Sequence, residues 1–325
     1  MKMIKIIITG STGGLGSRVL YHLLHTLKVS PQSLIISLYN PRKMPDEYSK
    51  LNLDVRRGDY QSPESLRTAF EGGDKLFLVS YPSLRHQIRV DAHKNAIDAA
   101  LAVGVQHIYY TSLAFSDEST AVVKQAHIDT EKYLKDVCSR GQGGRQVNYT
   151  VIKEGIYSES FPLYLGYFDR KKVEQERVIR VPRTGGPGVS WVARDELGEG
   201  TARILTSDAD PQGKSWTNRR VLLSGSEAVT LQGLADMITK ILSWHENPLR
   251  VEGVGREAFV ECHADGESGP KSREYVGLWA TSYPAMEAGE LAVVDPLLQK
   301  LLGRALKPME ESVEEILQVS GQYNG

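Results

Sequence analysis

Met3-Ile-Lys-Ile-Ile-Ile-Thr-Gly-Ser-Thr-Gly-Gly-Leu-Gly-Ser-Arg-Val-Leu-Tyr-His-Leu-Leu24 is the stretch from which the rest of the chain can be read. Ile4, Ile6, Ile7 and Ile8 make a short, nearly continuous apolar run, the pattern of a strand buried on both faces of a parallel sheet. Gly10, Gly13 and Gly16 follow at G-x-x-G-x-x-G spacing. Leu15, Val19, Leu20, Leu23 and Leu24 then fall on one helical stripe that begins beside the last glycine. The stretch reads as strand, tight loop and helix, with the free N–H groups of the helix start turned into the loop.

Such a loop suits a diphosphate. Without side chains the backbone N–H groups approach the oxygens, and the helix dipole favours negative charge there. Gly10 is expected to make the turn, Gly13 the close approach and Gly16 the helix packing. Glycine-rich turns also merely join strands to helices. Here the strand before, the helix after and the βαβ unit that follows favour a dinucleotide site.

Outward from this unit, the runs at 33–40, 75–81, 107–114 and 149–155 read as strands, as does 53–60, which ends in Gly-Asp-Tyr. Helical patterns follow Ser62-Pro63 and occupy about 87–103 and 121–134. Ser62 is the expected N-cap of its helix, with Pro63 in the first turn. This alternation predicts an α/β protein with a Rossmann-type, doubly wound parallel sheet. Ligands in such sheets sit beyond the carboxyl ends of the strands, which nominates Ser80, Tyr81, Thr111, Ser112 and Lys153 to Tyr157.

Past residue 157 the alternation loosens. Residues 1–157 are expected to form the nucleotide-binding domain and 158–325 a smaller C-terminal α/β lobe, some segments of which are free to return to the first domain. Within the lobe, a short strand at Ser190 feeds a helix, Arg220–Gly225 is a strand, and Thr230 caps a helix to Leu242. The segment 262–273 is rich in glycine and charge and reads as a mobile connection. Leu297, Leu298, Leu301, Leu302, Val313, Ile316 and Leu317 are helical packing surface. The turn Arg140–Arg145 receives no function.

The chain has 325 residues, 41% hydrophobic and 24% charged, and a formal net charge of −1. That balance excludes a mainly disordered chain and gives no electrostatic reason to expect nucleic-acid or anionic-membrane binding. Cys138 and Cys262 are too few for a disulfide framework and read as two packed thiols, with no zinc-type spacing. With no signal peptide or spanning segment in the sequence, a cytoplasmic protein is expected.

The second strand ends without the carboxylate that would accept hydrogen bonds from a ribose 2′-hydroxyl. Tyr39, Asn40, Arg42 and Lys43 stand there instead, which suits the 2′-phosphate of NADP(H). Asp59 is a candidate acceptor for the adenine amino group.

With the glycine loop, Tyr39–Lys43, Gly58-Asp-Tyr60, Tyr110-Thr-Ser-Leu113, His127-Ile-Asp-Thr-Glu-Lys132 and Glu154-Gly-Ile-Tyr157 in view, the chain resembles the NmrA-like atypical short-chain dehydrogenases. It is most similar to their NADPH-dependent quinone oxidoreductase branch. The resemblance implies NADP(H) as cofactor and a substrate cleft between domain and lobe. By motif position, Gly10, Ser11, Thr12, Gly13, Gly14 and Leu15 hold the diphosphate, and Tyr39, Asn40, Arg42 and Lys43 lie at the 2′-phosphate. Asp59 and Tyr60 flank adenine, Ser80 and Tyr81 the inner ribose, and Glu154, Gly155, Ile156 and Tyr157 the nicotinamide.

Typical short-chain dehydrogenases use a Tyr-x-x-x-Lys pair, and this chain has His127-x-x-x-Glu131 in its place. His127 is therefore the candidate proton donor, with Glu131 orienting it and raising its pKa. Tyr157 completes the catalytic candidates, and solvent is the alternative proton source. Tyr81, Tyr157, Phe161 and Trp191 are the expected aromatic walls for a flat substrate. The implied activity is hydride transfer to a quinone or related conjugated carbonyl. The competing readings are an NADP(H)-sensing regulator without turnover, and a tailoring reductase or isomerase. The oligomeric state is left open, a homodimer among the options.

Overall fold

In the computed structural model, residues 3–141, 146–269 and 271–322 are described. Four of the six residues of the Arg140–Arg145 turn lie outside them. The first apolar run forms β1 (Ile6–Thr9), buried at every position. Ile4 precedes the strand and is exposed. The helix α1 (Gly14–Tyr21) follows and widens into a π-helical turn over His22–Thr26. Its stripe of Leu15, Val19, Leu20, Leu23 and Leu24 is buried throughout.

The remaining strands are β2 (Leu34–Leu38), β3 (Asp54–Arg57), β4 (Lys75–Leu78), β5 (His107–Leu113), β6 (Asn148–Glu154), β7 (Val178–Val181), β8 (Arg219–Leu223) and β9 (Arg250–Gly253). Six of them join β1 in one seven-stranded sheet, in the order β3-β2-β1-β4-β5-β6-β8. All its pairings are parallel. The order reverses between β1 and β4, which opens a crevice beyond their carboxyl ends. Strands β7 and β9 form a separate parallel pair.

Helices α2 (Pro63–Phe70), α3 (His86–Ala102) and α4 (Val122–Arg140) cover one face. Ser62 caps α2 as expected, its hydroxyl accepting from the Ser65 N–H at 3.4 Å. Ile7, Phe70, Leu78, Ile97, Tyr110 and Val151 pack between that layer and the sheet. The other face is covered by α1 and by two helices from far downstream, Arg194–Thr206 and Leu297–Leu302. Three segments beyond residue 157 thus belong to the sheet: these two helices and β8, which the sequence pattern alone placed among the elements of the lobe.

A second core gathers Phe161, Ile179, Leu234, Ile238, Phe259, Trp279, Tyr283 and Val313 around β7 and β9. Thr230 caps the helix Leu231–Ile241 with a 2.9 Å bond to the Gly233 N–H. Cys138 is buried and Cys262 exposed, both free, so only Cys138 is a packed thiol. Among the described residues no helix is long and apolar enough to cross a membrane.

Candidate active site

The turn from β1 into α1 is shaped by the carbonyl of Gly10. The Gly13 N–H donates to it at 2.9 Å, and Gly10 itself has φ +64°, a conformation natural to glycine. A Cβ on Gly10 would lie 2.9 Å from Val79 Cβ, and one on Gly16 would lie 2.6 Å from the Gly10 carbonyl carbon. Gly16 therefore lets the helix seat directly on the turn. Gly13 is the N-cap, no side chain caps α1, and its first turn holds no acid. Thr12, Gly13 and Gly14 are exposed, Leu15 anchors the helix in the core, and buried Ser11 keeps an unpartnered hydroxyl oxygen. Unpaired N–H groups at an uncapped, acid-free helix start form an anion cradle, so the residues present fit a dinucleotide diphosphate.

At the β2 end, Asn40 caps a short 3-10 turn over Pro41–Lys43 by accepting from the Arg42 N–H at 3.1 Å. Tyr39, Arg42 and Lys43 are exposed, so the two cations face solvent where a 2′-phosphate would lie. Asp59 is braced by the Gln61 N–H at 2.9 Å. The Tyr60 hydroxyl donates to the Val79 carbonyl at 2.7 Å, and its ring lies 5.6 Å from that of Tyr81. Ser80 differs from expectation. Its hydroxyl turns into the α3 layer, accepting from Arg89 Nε at 3.0 Å and Nη2 at 2.8 Å, because buried Arg89 needs an acceptor there. It has no hydroxyl to offer a ribose at the crest.

At the end of β6, Glu154 is buried. One oxygen accepts from the Thr201 hydroxyl at 3.0 Å and the other has no partner. Burial pushes its pKa up to about 8, so it is largely protonated at neutral pH. Gly155 is held by packing: a Cβ there would lie 2.6 Å from both the Leu223 carbonyl oxygen and Val192 Cγ1. Ile156 is buried beside it. Tyr157 is half-buried, and desolvation raises its phenol above the ordinary value, opposite to an activated acid.

The expected His127–Glu131 pair does not form. His127 is fully enclosed, with Nδ1 2.8 Å from the Tyr110 hydroxyl and Nε2 without a partner. Burial, with the nearby Arg89 and Lys124 charges, holds its pKa well below the usual histidine value. Glu131 turns away to Ser112 at 2.5 Å, to buried Lys124 at 2.9 Å and to Arg220 at 2.7 Å. Lys124 and Arg220 claim the carboxylate, so it neither orients the imidazole nor charges it.

Two of the expected walls are also core. Phe161 is fully buried, and Trp191 is buried with its indole N–H donating to the Val229 carbonyl at 3.3 Å. Tyr81 and Tyr157 remain partly accessible.

One residue at the crest has no signal in the local sequence. Arg194, the first residue of the Arg194–Thr206 helix, reaches across α1. A Cβ on Gly14 would lie 3.2 Å from its Cδ and Nη1, and its guanidinium carbon is 4.9 Å from the Tyr157 ring centroid.

Residues 2–242 match the model of the NmrA-like family. The chain belongs to that family. This NmrA-like protein is 28% identical over 320 residues to an NmrA-like family domain-containing oxidoreductase of Aspergillus flavus, covering 96% of this chain and 95% of the relative. It is 31% identical over 235 residues to quinone oxidoreductase 2 of Escherichia coli, covering 72% and 73%. The solved structure of Citrobacter sp. triphenylmethane reductase complexed with NADP(H) superimposes on the NmrA-like chain with a TM-score of 0.79 at 27% identity, over 96% and 99% of the two chains.

Proposed function

We propose that this NmrA-like protein is an NADP(H)-dependent oxidoreductase that transfers hydride to a quinone or a related conjugated carbonyl. The observation that carries this reading is the cradle at Gly10–Gly16, an uncapped and acid-free helix start opening on exposed backbone. The named activities of the Aspergillus, Escherichia coli and Citrobacter relatives support it. Bound NADPH supplies the hydride.

The chain's own part is to bind and to orient. The N–H groups of Gly14 and Leu15 meet the diphosphate, Arg42 and Lys43 the 2′-phosphate, and Asp59 and Tyr60 the adenine. Glu154 to Tyr157 back the nicotinamide end, and Tyr81 and Tyr157 are the aromatic surfaces left for a flat acceptor. The proton comes from solvent. His127 is neutral and sealed, Tyr157 is a weakened acid, and a reduced quinone spreads its negative charge well enough to wait for water. The exposed free thiol of Cys262 suits a reducing compartment such as the cytoplasm.

Steady-state NADPH oxidation with benzoquinones, naphthoquinones and a triphenylmethane dye tests the reading. Saturable turnover with a quinone is expected. Tight NADPH binding without turnover across the panel would instead favour a redox sensor.

A further inference from the structure

The arginines around the Arg194–Thr206 helix are matched to carboxylates, with one exception. Arg18 of α1 pairs with Asp195, Arg203 with Glu199 at 2.7 Å, and Arg304 with Glu196 at 2.5 Å. Arg194 is different. Its Nε is buried without a hydrogen-bond partner, and its guanidinium enters no ion pair among the described residues. Among the described residues the carboxylate bound to Arg194 is that of Glu159, and it meets the backbone: both oxygens accept from the Arg194 N–H, at 3.1 and 3.2 Å. A guanidinium Nε–H buried without an acceptor is costly unless an anion meets it.

Its position says which anion. The side chain lies on the bare face of Gly14, at the lip of the helix start, and beside Tyr157 at the opposite end of the same crevice. Its base is also fixed. Glu159 caps the helix from outside, while Asp195, next to Arg194, grips both Arg18 of α1 and His22 of the π-helical turn that follows it, the His22 contact at 3.1 Å. The cradle and the arginine therefore move as one body.

We propose, on the basis of the dinucleotide reading above, that Arg194 is a second clamp on the diphosphate, closing from the C-terminal half over the oxygens that the α1 backbone holds from below. Guanidinium is suited to this because its planar donors meet phosphate oxygens in pairs. Gly14 is bare because any side chain there would compete for the space that Arg194 fills.

Calorimetric titration of NADPH, NADH and ADP-ribose into the wild type, Arg194→Ala, Arg194→Lys and Arg42→Ala tests the clamp, with thermal melts as a folding control. Arg194→Ala should weaken all three ligands by a similar factor, about 10- to 100-fold for a lost charge-assisted contact, and Arg194→Lys should recover part of it. Arg42→Ala should weaken NADPH alone. Unchanged binding to a folded Arg194→Ala protein would overturn the clamp and leave the dinucleotide reading intact. Loss for NADPH and NADH but not for ADP-ribose would also overturn it, moving the contact to the nicotinamide. Failure of the wild type to bind either coenzyme would sink the dinucleotide reading itself.

Discussion

Arg42 and Lys43 stand in an exposed turn with no carboxylate at the end of β2 to repel a phosphate. Removing the Arg42 charge should weaken NADPH by about 1–3 kcal/mol and leave NADH nearly unchanged, as read by calorimetry. Equal weakening would place the 2′-phosphate elsewhere. Glu154 makes a different prediction, about stability. Its pKa is raised from 4.5 to about 8 in the folded state, so the folded protein keeps a proton that the unfolded chain gives up. The contribution of that proton is complete below pH 4.5 and is lost as pH rises towards 8, a drain of roughly 4 kcal/mol. Glu154→Gln should flatten the fall in stability between pH 5 and 8 in urea denaturation. An unchanged slope would assign the titration to another group. The cradle glycines were legible in the sequence because their function is carried by backbone geometry. Phe161 and Trp191 were not, because a buried ring and a ring lining a cleft have the same local pattern.

The crossing of α1 with the Arg194–Thr206 helix depends on Gly198. A Cβ there would lie 2.9 Å from the Arg18 carbonyl carbon. Gly198→Ala should therefore push the helices apart and cost about 1–3 kcal/mol of stability, measured by urea denaturation. Because Arg194 rides on the same helix, the substitution should also weaken coenzyme binding; unaltered affinity would mean that the helix start is held by Asp195 alone. Strands β1, β2, β4, β5 and β6 could be read from the sequence because each carries an apolar run between turn signals, and β3, Asp-Val-Arg-Arg, from its place before the Gly58-Asp-Tyr60 turn. The place of β8 could not, since a strand's pattern does not name its neighbour. The same limit hid the turning of Glu131 towards Lys124 and Arg220. Helical spacing puts it one turn from His127, but the competing cations lie two turns before it on α4 and on β8.

Across the molecule, the sheet is completed by chain that comes after the lobe has begun. Leu197, Leu205, Val221, Leu223, Leu298 and Leu302 are all buried against the α1 face. A fragment ending at residue 157 keeps the nucleotide cradle but exposes Leu20, Phe77 and Ile152. It should not give a cooperative thermal transition, whereas the whole chain should; a sharply melting, monomeric fragment would show that the first six strands suffice. The late return of Leu297–Leu302 also bears on synthesis. Until nearly 300 residues have left the ribosome, the patch of this sheet face that Leu297–Leu302 finally covers stays greasy and open, a surface on which a chaperone can act during synthesis.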